Sequence, residues 1–163
     1  MQFKTALKAQ YHAGLWMLRQ CVERCPEEVW VSGVHPRNFW RISYHVTYYT
    51  HLYAHQKESD YTPWAKENSN ARVLWATPPV EPPYSKADIS DYIDMVDAAI
   101  DILVDSLDLE TNDCGFSWYS LSKLEHQMLN IRHLQGHVGQ LSELLHSHDV
   151  DTDWKGSAVS AHS

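Results

Sequence analysis

The sequence has little of several features that mark particular classes of protein. Only three cysteines, Cys21, Cys25 and Cys114, occur in 163 residues, and an odd number without a secretory pattern argues against a disulfide framework. No apolar run approaches the roughly 18 residues that a membrane-spanning helix needs. The start of the chain also has no apolar run of signal-peptide length, so we expect a cytoplasmic location.

Basic residues are also scarce. The chain has 13 Lys and Arg against 21 Asp and Glu, which gives a formal net charge of −8. A chain this acidic is repelled by the phosphate backbone of nucleic acids and by anionic membrane surfaces. We therefore expect neither nucleic acid nor membrane among its partners.

Alternating apolar and polar residues, the pattern of a half-buried strand, do not extend far enough anywhere to predict a sheet. Apolar residues instead recur at steps of three and four in four segments. These predicted helices cover about 3–24, 38–57, 86–107 and a last segment that starts between 117 and 122 and ends near 146. Capping boxes are predicted at Ser85 with Asp88 and at Ser122 with Glu125. The pattern predicts an all-α four-helix bundle.

The connection between the second and third predicted helices, residues 58–85, is long and holds five of the seven prolines together with several aromatic residues. We expect an ordered crossover packed on the bundle, because a flexible linker has no need of aromatic side chains. After His148 the chain becomes polar. The predicted organisation is therefore a bundle over 1–148 and a mobile polar tail over 149–163.

Histidine, by contrast, is abundant, with 11 residues. His133 and His137 are one helical turn apart on the same face of the fourth predicted helix, so their imidazoles can converge on one ion. A third ligand must come from another helix, and His45 lies on the inner edge of the second. The spacing indicates a metal site formed by these three histidines. The alternative is a cleft lined with solvated or hydrogen-bonded histidines.

Three further histidines have no clear role. His51 and His55 are also four residues apart, but the helical periodicity directs this pair to the outer face. His126 shares the angular position of His133 at a distance of about 10 Å along the helix axis, which is too far for one coordination sphere. It could line the same cleft. The side chains that could support the site are Gln140, Asn130, Tyr48, Tyr49 and Trp40, for which ordinary packing is an equally good interpretation.

Two segments carry a resemblance to a known family. NFWRISYHV at 38–46 and NIRHLQGHVGQL at 130–141, separated by the long crossover, resemble the DinB-like superfamily of DinB/YfiT-like metalloproteins over about residues 3–147. The resemblance implies an up-down-down-up four-helix bundle. It also implies a divalent cation, usually nickel or zinc, bound by His45, His133 and His137.

The resemblance also implies a function. Relatives include transferases and isomerases that use a low-molecular-weight thiol, so the chain would be a metal-dependent thiol S-transferase or a hydrolase. A site with three protein ligands leaves a position open for a substrate. The alternatives are a non-catalytic metal-binding stress-response protein and a scaffold whose histidines bind no metal. Four tryptophans, more than one small core needs, predict association into a homodimer: Trp16, Trp30, Trp64 and Trp75.

Overall fold

A computed structural model shows five α-helices and describes residues 2–159. The helices are α1 (Gln2–Arg24), α2 (Glu27–Trp30), α3 (Phe39–Tyr53), α4 (Lys86–Ser106) and α5 (Lys123–His146), with a 3-10 turn at Glu58–Asp60. No β-strand occurs within residues 2–159. The prediction of an all-α helical bundle is confirmed.

The helix ends follow their local sequence signals. Both predicted capping boxes are present, and the hydroxyls of Ser85 and Ser122 accept hydrogen bonds from the backbone N–H groups three residues on. α3 ends at Tyr53, four residues before the predicted end at 57. Beyond this end, the Lys123 ammonium group donates to the carbonyl oxygens of His55 and Gln56 (2.5 and 2.8 Å), which therefore have partners although they follow the last helical residue.

The candidate histidines lie on neighbouring helices. α3 packs against α5, and α1 packs against both α4 and α5. Near the middle of α3, His45 contacts His133, which lies near the middle of α5. At the end of α3, the Tyr53 carbonyl accepts from Gln127, near the start of α5. The two helices therefore run in opposite directions, and the middle of each lies beside the middle of the other.

On α5, the apolar spacing predicts a buried stripe of Leu124, Met128, Ile131, Val138, Leu141 and Leu145. The last three are fully buried, whereas Leu124 and Ile131 are only partly buried. Met128 is 60% exposed, so the first half of this stripe was predicted wrongly. The reason is that the buried face of the first half of α5 carries polar side chains, including Lys123, Gln127 and Asn130.

The crossover over 58–85 is packed on the bundle, as predicted. Trp64, Ala71 and Leu74 are buried, and the Trp64 ring stacks on Tyr92 of α4 at 4.4 Å between centroids. Trp64 is thus part of the core, as is Trp30, whose indole N–H donates to the Tyr84 carbonyl at 2.7 Å. Two of the four tryptophans that motivated the homodimer prediction therefore have intramolecular roles, and the homodimer stays a prediction.

The segment after α5 lies along α1. The backbone N–H of Asp153 donates to the Gln20 side chain (2.5 Å), and the Gln10 side chain donates to the Gly156 carbonyl (3.0 Å). The mobility predicted for the tail stays a prediction. Its last four residues, 160–163, and Met1 of the predicted bundle lie outside the described residues. Within residues 2–159, no helix combines the length and apolar character that crossing a membrane requires.

Candidate metal centre

The structure brings together the three histidines that the sequence singles out. His45 extends from α3, and His133 and His137 from α5. One ligand atom from each lies within 4.8 Å of the others. The ring centroids are 5.1 Å apart for His45 and His133, 4.9 Å for His45 and His137, and 4.7 Å for the α5 pair. This three-histidine centre could hold a metal ion.

Hydrogen bonds orient two of the three rings. The Nδ1–H of His45 donates to the backbone carbonyl of Arg72 at 2.6 Å, and the Nδ1–H of His137 donates to the side-chain carbonyl of Gln140 at 3.0 Å. A carbonyl oxygen can only accept, so the proton is on Nδ1 and the lone pair is on Nε2. Supporting acceptors of this kind are typical of histidines that bind metal ions.

The spacing of the ring nitrogens fits one ion. The Nε2 atoms of His45 and His133 are 3.1 Å apart. Two nitrogens bound to one ion at about 2.0–2.1 Å lie about 2.9–3.3 Å apart in octahedral or tetrahedral geometry. The Nδ1 atom of His133 is buried and has no hydrogen-bond partner among residues 2–159, so the only protein contact of its ring nitrogens there is the one between Nε2 and His45.

All three imidazoles are held in their neutral form. Burial lowers the pKa of His45 to about 3, with further lowering by His137 and His133. Burial, together with His137, lowers the pKa of His133 to about 4. Burial also lowers the pKa of His137, although the hydrogen bond that its Nδ1–H donates to Gln140 raises it in part. Neutral imidazole is the form that binds a metal ion, so at neutral pH these rings are ready to act as ligands.

A cavity of about 600 Å³ opens onto the centre. Tyr49 is its nearest aromatic wall, with its ring 4.8 Å from His45 and 5.8 Å from His133. The Trp75 ring lies 6.0 Å from His45. Aromatic side chains from three segments make up much of the wall: Tyr48, Tyr49, Tyr53, Trp75, Trp118 and Tyr119. The cavity is therefore an open cleft beside the three histidines, lined to a large extent by flat aromatic surfaces.

Sequence reasoning identified only part of this environment. Gln140 supports the site as predicted, and Tyr48 and Tyr49 line the cavity. Trp40 is buried against Tyr84 instead. Asn130 is also buried away from the centre and donates to the Tyr11 hydroxyl and the Thr50 carbonyl.

Two arginines that line the cavity, Arg37 and Arg72, were not predicted. Arg37 precedes α3, and Arg72 belongs to the crossover. No local pattern marks either residue, and the only signal was the aromatic character of the crossover around Arg72. Their position in the cavity depends on how these segments fold back over the bundle.

The prediction of an outward-facing His51 and His55 pair is wrong. Their exposed fractions are 6% and 9%, because the chain after α3 folds back over them. The ring of Tyr61 lies 4.9 Å from His51 and 5.6 Å from His55. His126 does not line the cavity either, since it is fully buried with its ring 4.7 Å from both Tyr53 and Phe116.

Comparisons with protein-family models, with curated proteins and with solved structures find no match. The functional evidence is the three-histidine centre, the carbonyl groups that orient it and the cavity that opens onto it.

Proposed function

We propose that this protein is a DinB-like metalloprotein that binds one divalent transition-metal ion through His45, His133 and His137. The observation that carries the proposal is the convergence of three neutral imidazoles within 4.8 Å. Imidazole suits zinc and nickel, which are the metals that the family resemblance suggests. Three protein ligands leave at least one coordination position open, which is typical of a catalytic centre.

Metal titration tests this proposal. Protein without a histidine tag is made metal-free with a chelator and titrated with ZnCl₂ and NiCl₂ in a calorimeter. Wild type is expected to bind one ion per chain and His133→Ala to lose at least 100-fold in affinity. His148→Ala is the matched control, because His148 is exposed, lies beyond the end of α5 and is not one of the three clustered histidines. Binding that is absent in wild type, or unchanged in His133→Ala, would contradict the proposal.

We propose further that the open position serves a reaction, either thiol S-transfer or hydrolysis. The support is the 600 Å³ cavity beside the centre, a volume within the range of small-molecule sites. A bound divalent ion would lower the pKa of a thiol or water molecule. The chain itself holds His45 in place through the Arg72 carbonyl and provides aromatic walls for the cavity.

A substrate screen separates this activity from the alternative. Zinc-loaded wild type and His133→Ala are incubated with low-molecular-weight thiols plus electrophiles, and with ester substrates. Turnover by wild type alone supports an enzyme. If zinc binds but nothing turns over beyond the level of the variant, the protein is better described as a non-catalytic metal-binding protein of a stress response.

A further inference from the structure

The cavity beside the centre differs in charge from the rest of the molecule. The chain carries a net charge of −8, yet two arginines, Arg37 and Arg72, line the cavity against a single carboxylate, Glu58. The three histidines are neutral. A concave site lined by one sign of charge concentrates ligands of the opposite sign. The cavity is therefore suited to an anion.

Arg72 has binding capacity that the protein does not use. Its guanidinium lies over the Tyr48 ring at 4.9 Å and donates one hydrogen bond to the Tyr48 hydroxyl. Within residues 2–159 it forms no ion pair, and the nearby Glu67 accepts instead from the Tyr61 hydroxyl at 2.5 Å. A guanidinium carries five N–H donors in one plane. At least one edge of this plane is free for a ligand.

The backbone of Arg72 connects this group to the metal centre. Its carbonyl oxygen accepts the Nδ1–H of His45 at 2.6 Å, while its side chain lines the cavity. One residue therefore orients a candidate metal ligand and presents a cation to whatever occupies the cavity. If the Arg72 guanidinium binds the acidic group of a ligand, the remainder of that ligand lies in the cavity beside the three histidines.

The uncharged side chains of the cavity wall indicate what the non-acidic part of the ligand is. Apart from the charged groups and the histidines, the cavity is lined by the six aromatic side chains and by Leu52 and Leu74. Such walls favour a flat or apolar body over a polyhydroxylated one. The ligand class is thus a molecule with one acidic group and one apolar part.

We propose that the cavity binds a small organic carboxylate with an apolar, ring-sized body, and that Arg72 is the residue that binds its carboxylate. A planar carboxylate matches the planar edge of a guanidinium with two parallel hydrogen bonds, which favours it over a neutral amide of the same shape. The proposal deepens the proposed function, on which it rests for the role of the centre, because it names the substrate class for the same cavity.

Calorimetry with a matched pair of probes tests the proposal. 3-Phenylpropanoate and its neutral isostere 3-phenylpropanamide are titrated into metal-free and zinc-loaded protein. Wild type is expected to bind the carboxylate at least tenfold more tightly than the amide in both forms. Arg72→Met removes this preference. Arg132→Met, which removes the same charge from an exposed position on α5, keeps it.

Several results of these titrations would overturn the proposal. Equal binding of the two probes by wild type, no binding of the carboxylate, or a preference that survives in Arg72→Met overturns the proposal. A preference that is lost in His133→Ala but kept in Arg72→Met assigns the carboxylate to the metal and also overturns it. If Arg72→Met folds poorly, Arg72→Lys replaces it in the test, because it keeps the charge without the planar fork. Its preference for the carboxylate over the amide should be weaker than that of wild type.

The two proposals can fail separately. Zinc stoichiometry reports only on the three histidines, and carboxylate preference in metal-free protein reports only on Arg72. A chain that prefers the carboxylate without binding zinc contradicts the proposed function alone. A chain that binds zinc without preferring the carboxylate contradicts the inference about Arg72 alone.

Discussion

The histidines of this chain differ in what their two ring nitrogens contact. His137 donates from one nitrogen to Gln140 and keeps the other for the centre. His12 on α1 faces carboxylates with both nitrogens, Asp97 at 2.7 Å and Asp101 at 3.0 Å. His126 has no hydrogen-bond partner on either nitrogen among residues 2–159. These contacts decide whether a ring binds a metal ion, carries a charge or simply fills space.

His126 is expected to be a site where a nonpolar ring is better tolerated than the native one. Its unpaired nitrogens are fully buried among aromatic rings, and burial of an unpaired polar group costs free energy. We predict that His126→Phe raises the free energy of unfolding at pH 7 by about 1–2 kcal/mol. Urea denaturation measures this, and a loss of more than about 1 kcal/mol would contradict it, pointing to a required polar contact or to overpacking.

We also predict that His126→Phe makes the free energy of unfolding less sensitive to acid. Burial, with a smaller effect of the Lys123 charge, lowers the pKa of His126 to about 4. As the pH falls from 6.5 towards 4, the unfolded chain takes up a proton that the folded chain does not, so wild type loses stability. His126→Phe should lose less between pH 7 and pH 4.5. Equal losses in the two proteins would show that His126 does not titrate as the structure implies.

His12 has the opposite pH dependence. Burial lowers its pKa, but the hydrogen bonds and charges of Asp97 and Asp101 outweigh burial, so the pKa is raised. Both ring nitrogens can donate only in the charged form. A raised pKa stabilises the folded state fully below the ordinary value of 6.5, and this contribution is lost as the pH rises through the raised value.

We therefore predict that His12→Gln lowers the free energy of unfolding by about 2–3 kcal/mol at pH 5.5, and by less at pH 9. Urea denaturation at the two pH values measures the difference. His146→Gln is the control, because its pairing with Asp151 is exposed to solvent and such pairs contribute little. A cost that is independent of pH would show that His12 is neutral in the folded protein.

The candidate ligands were predictable because their spacing is local. His133 and His137 share a face of one helix by their separation alone, and the helical pattern placed His45 on an inner edge. The burial of His51 and His55 was not predictable, because Tyr61 reaches them only when the chain reverses after α3. Long-range packing of this kind leaves no periodic signal in the sequence.

At the scale of elements, the segment between α4 and α5 is fastened to the end of α3. The Glu58 N–H donates to the Gly115 carbonyl at 3.1 Å. The buried Lys123 ammonium donates to carbonyls on both segments, those of His55 and Cys114 among them. Because Trp118 and Tyr119 of the same segment line the cavity, these contacts also position one wall of the candidate site.

Gly115 is the residue of this segment that tolerates a side chain least. Its φ of +80° is unfavourable for other residues, and an added Cβ would lie 2.5 Å from the Gln56 carbonyl oxygen. We predict that Gly115→Ala lowers the free energy of unfolding by about 2–3 kcal/mol. Gly139→Ala is the matched control. It lies within α5 with nothing within 4 Å of the added atom, so it should stabilise by up to about 1 kcal/mol.

Thermal and urea denaturation of both variants tests this comparison. Equal effects of the two substitutions would contradict the role assigned to the close approach at Gly115. A further readout is the contribution of Trp118 to the fluorescence, obtained as the difference between spectra with Trp118 and with Trp118→Phe because the chain has seven tryptophans. This contribution should shift in Gly115→Ala if the added Cβ moves the segment away from α3. An unchanged spectrum would show that the cavity wall does not depend on this contact.

Element boundaries were predictable where the sequence provides its own signal. Ser85 with Asp88 and Ser122 with Glu125 fix the starts of α4 and α5 through local hydrogen bonds. The short helix α2 and the early end of α3 were not predicted. The carbonyl oxygens that follow the end of α3 accept from Lys123, which is nearly 70 residues away along the chain, and a local pattern does not contain such a contact.

At the scale of the whole molecule, association into a homodimer remains a prediction. Several large apolar side chains are exposed on the single chain, including Trp75, Trp118 and Met128, and exposed apolar surface favours association. Size-exclusion chromatography with light scattering should give twice the 18.9 kDa of one chain. A mass of one chain at micromolar concentration would contradict the prediction.

Metal binding should couple to the stability of the whole bundle, because its ligands come from two helices that are distant in sequence. An ion bound by His45 of α3 and by His133 and His137 of α5 binds only the folded arrangement. Ligand at about 100 times its dissociation constant then stabilises the folded state by about 2.7 kcal/mol. For a chain of this length, that corresponds to an increase in Tm of about 5–10 °C.

We predict this increase when ZnCl₂ is added to metal-free wild type and to His148→Ala, and its reversal by a chelator. His133→Ala should show no increase, because two imidazoles on different helices hold an ion much more weakly than three. Differential scanning calorimetry measures all three proteins under one set of conditions. An equal increase in His133→Ala would mean that zinc binds elsewhere, and the three histidines would then be only a polar end of the cavity.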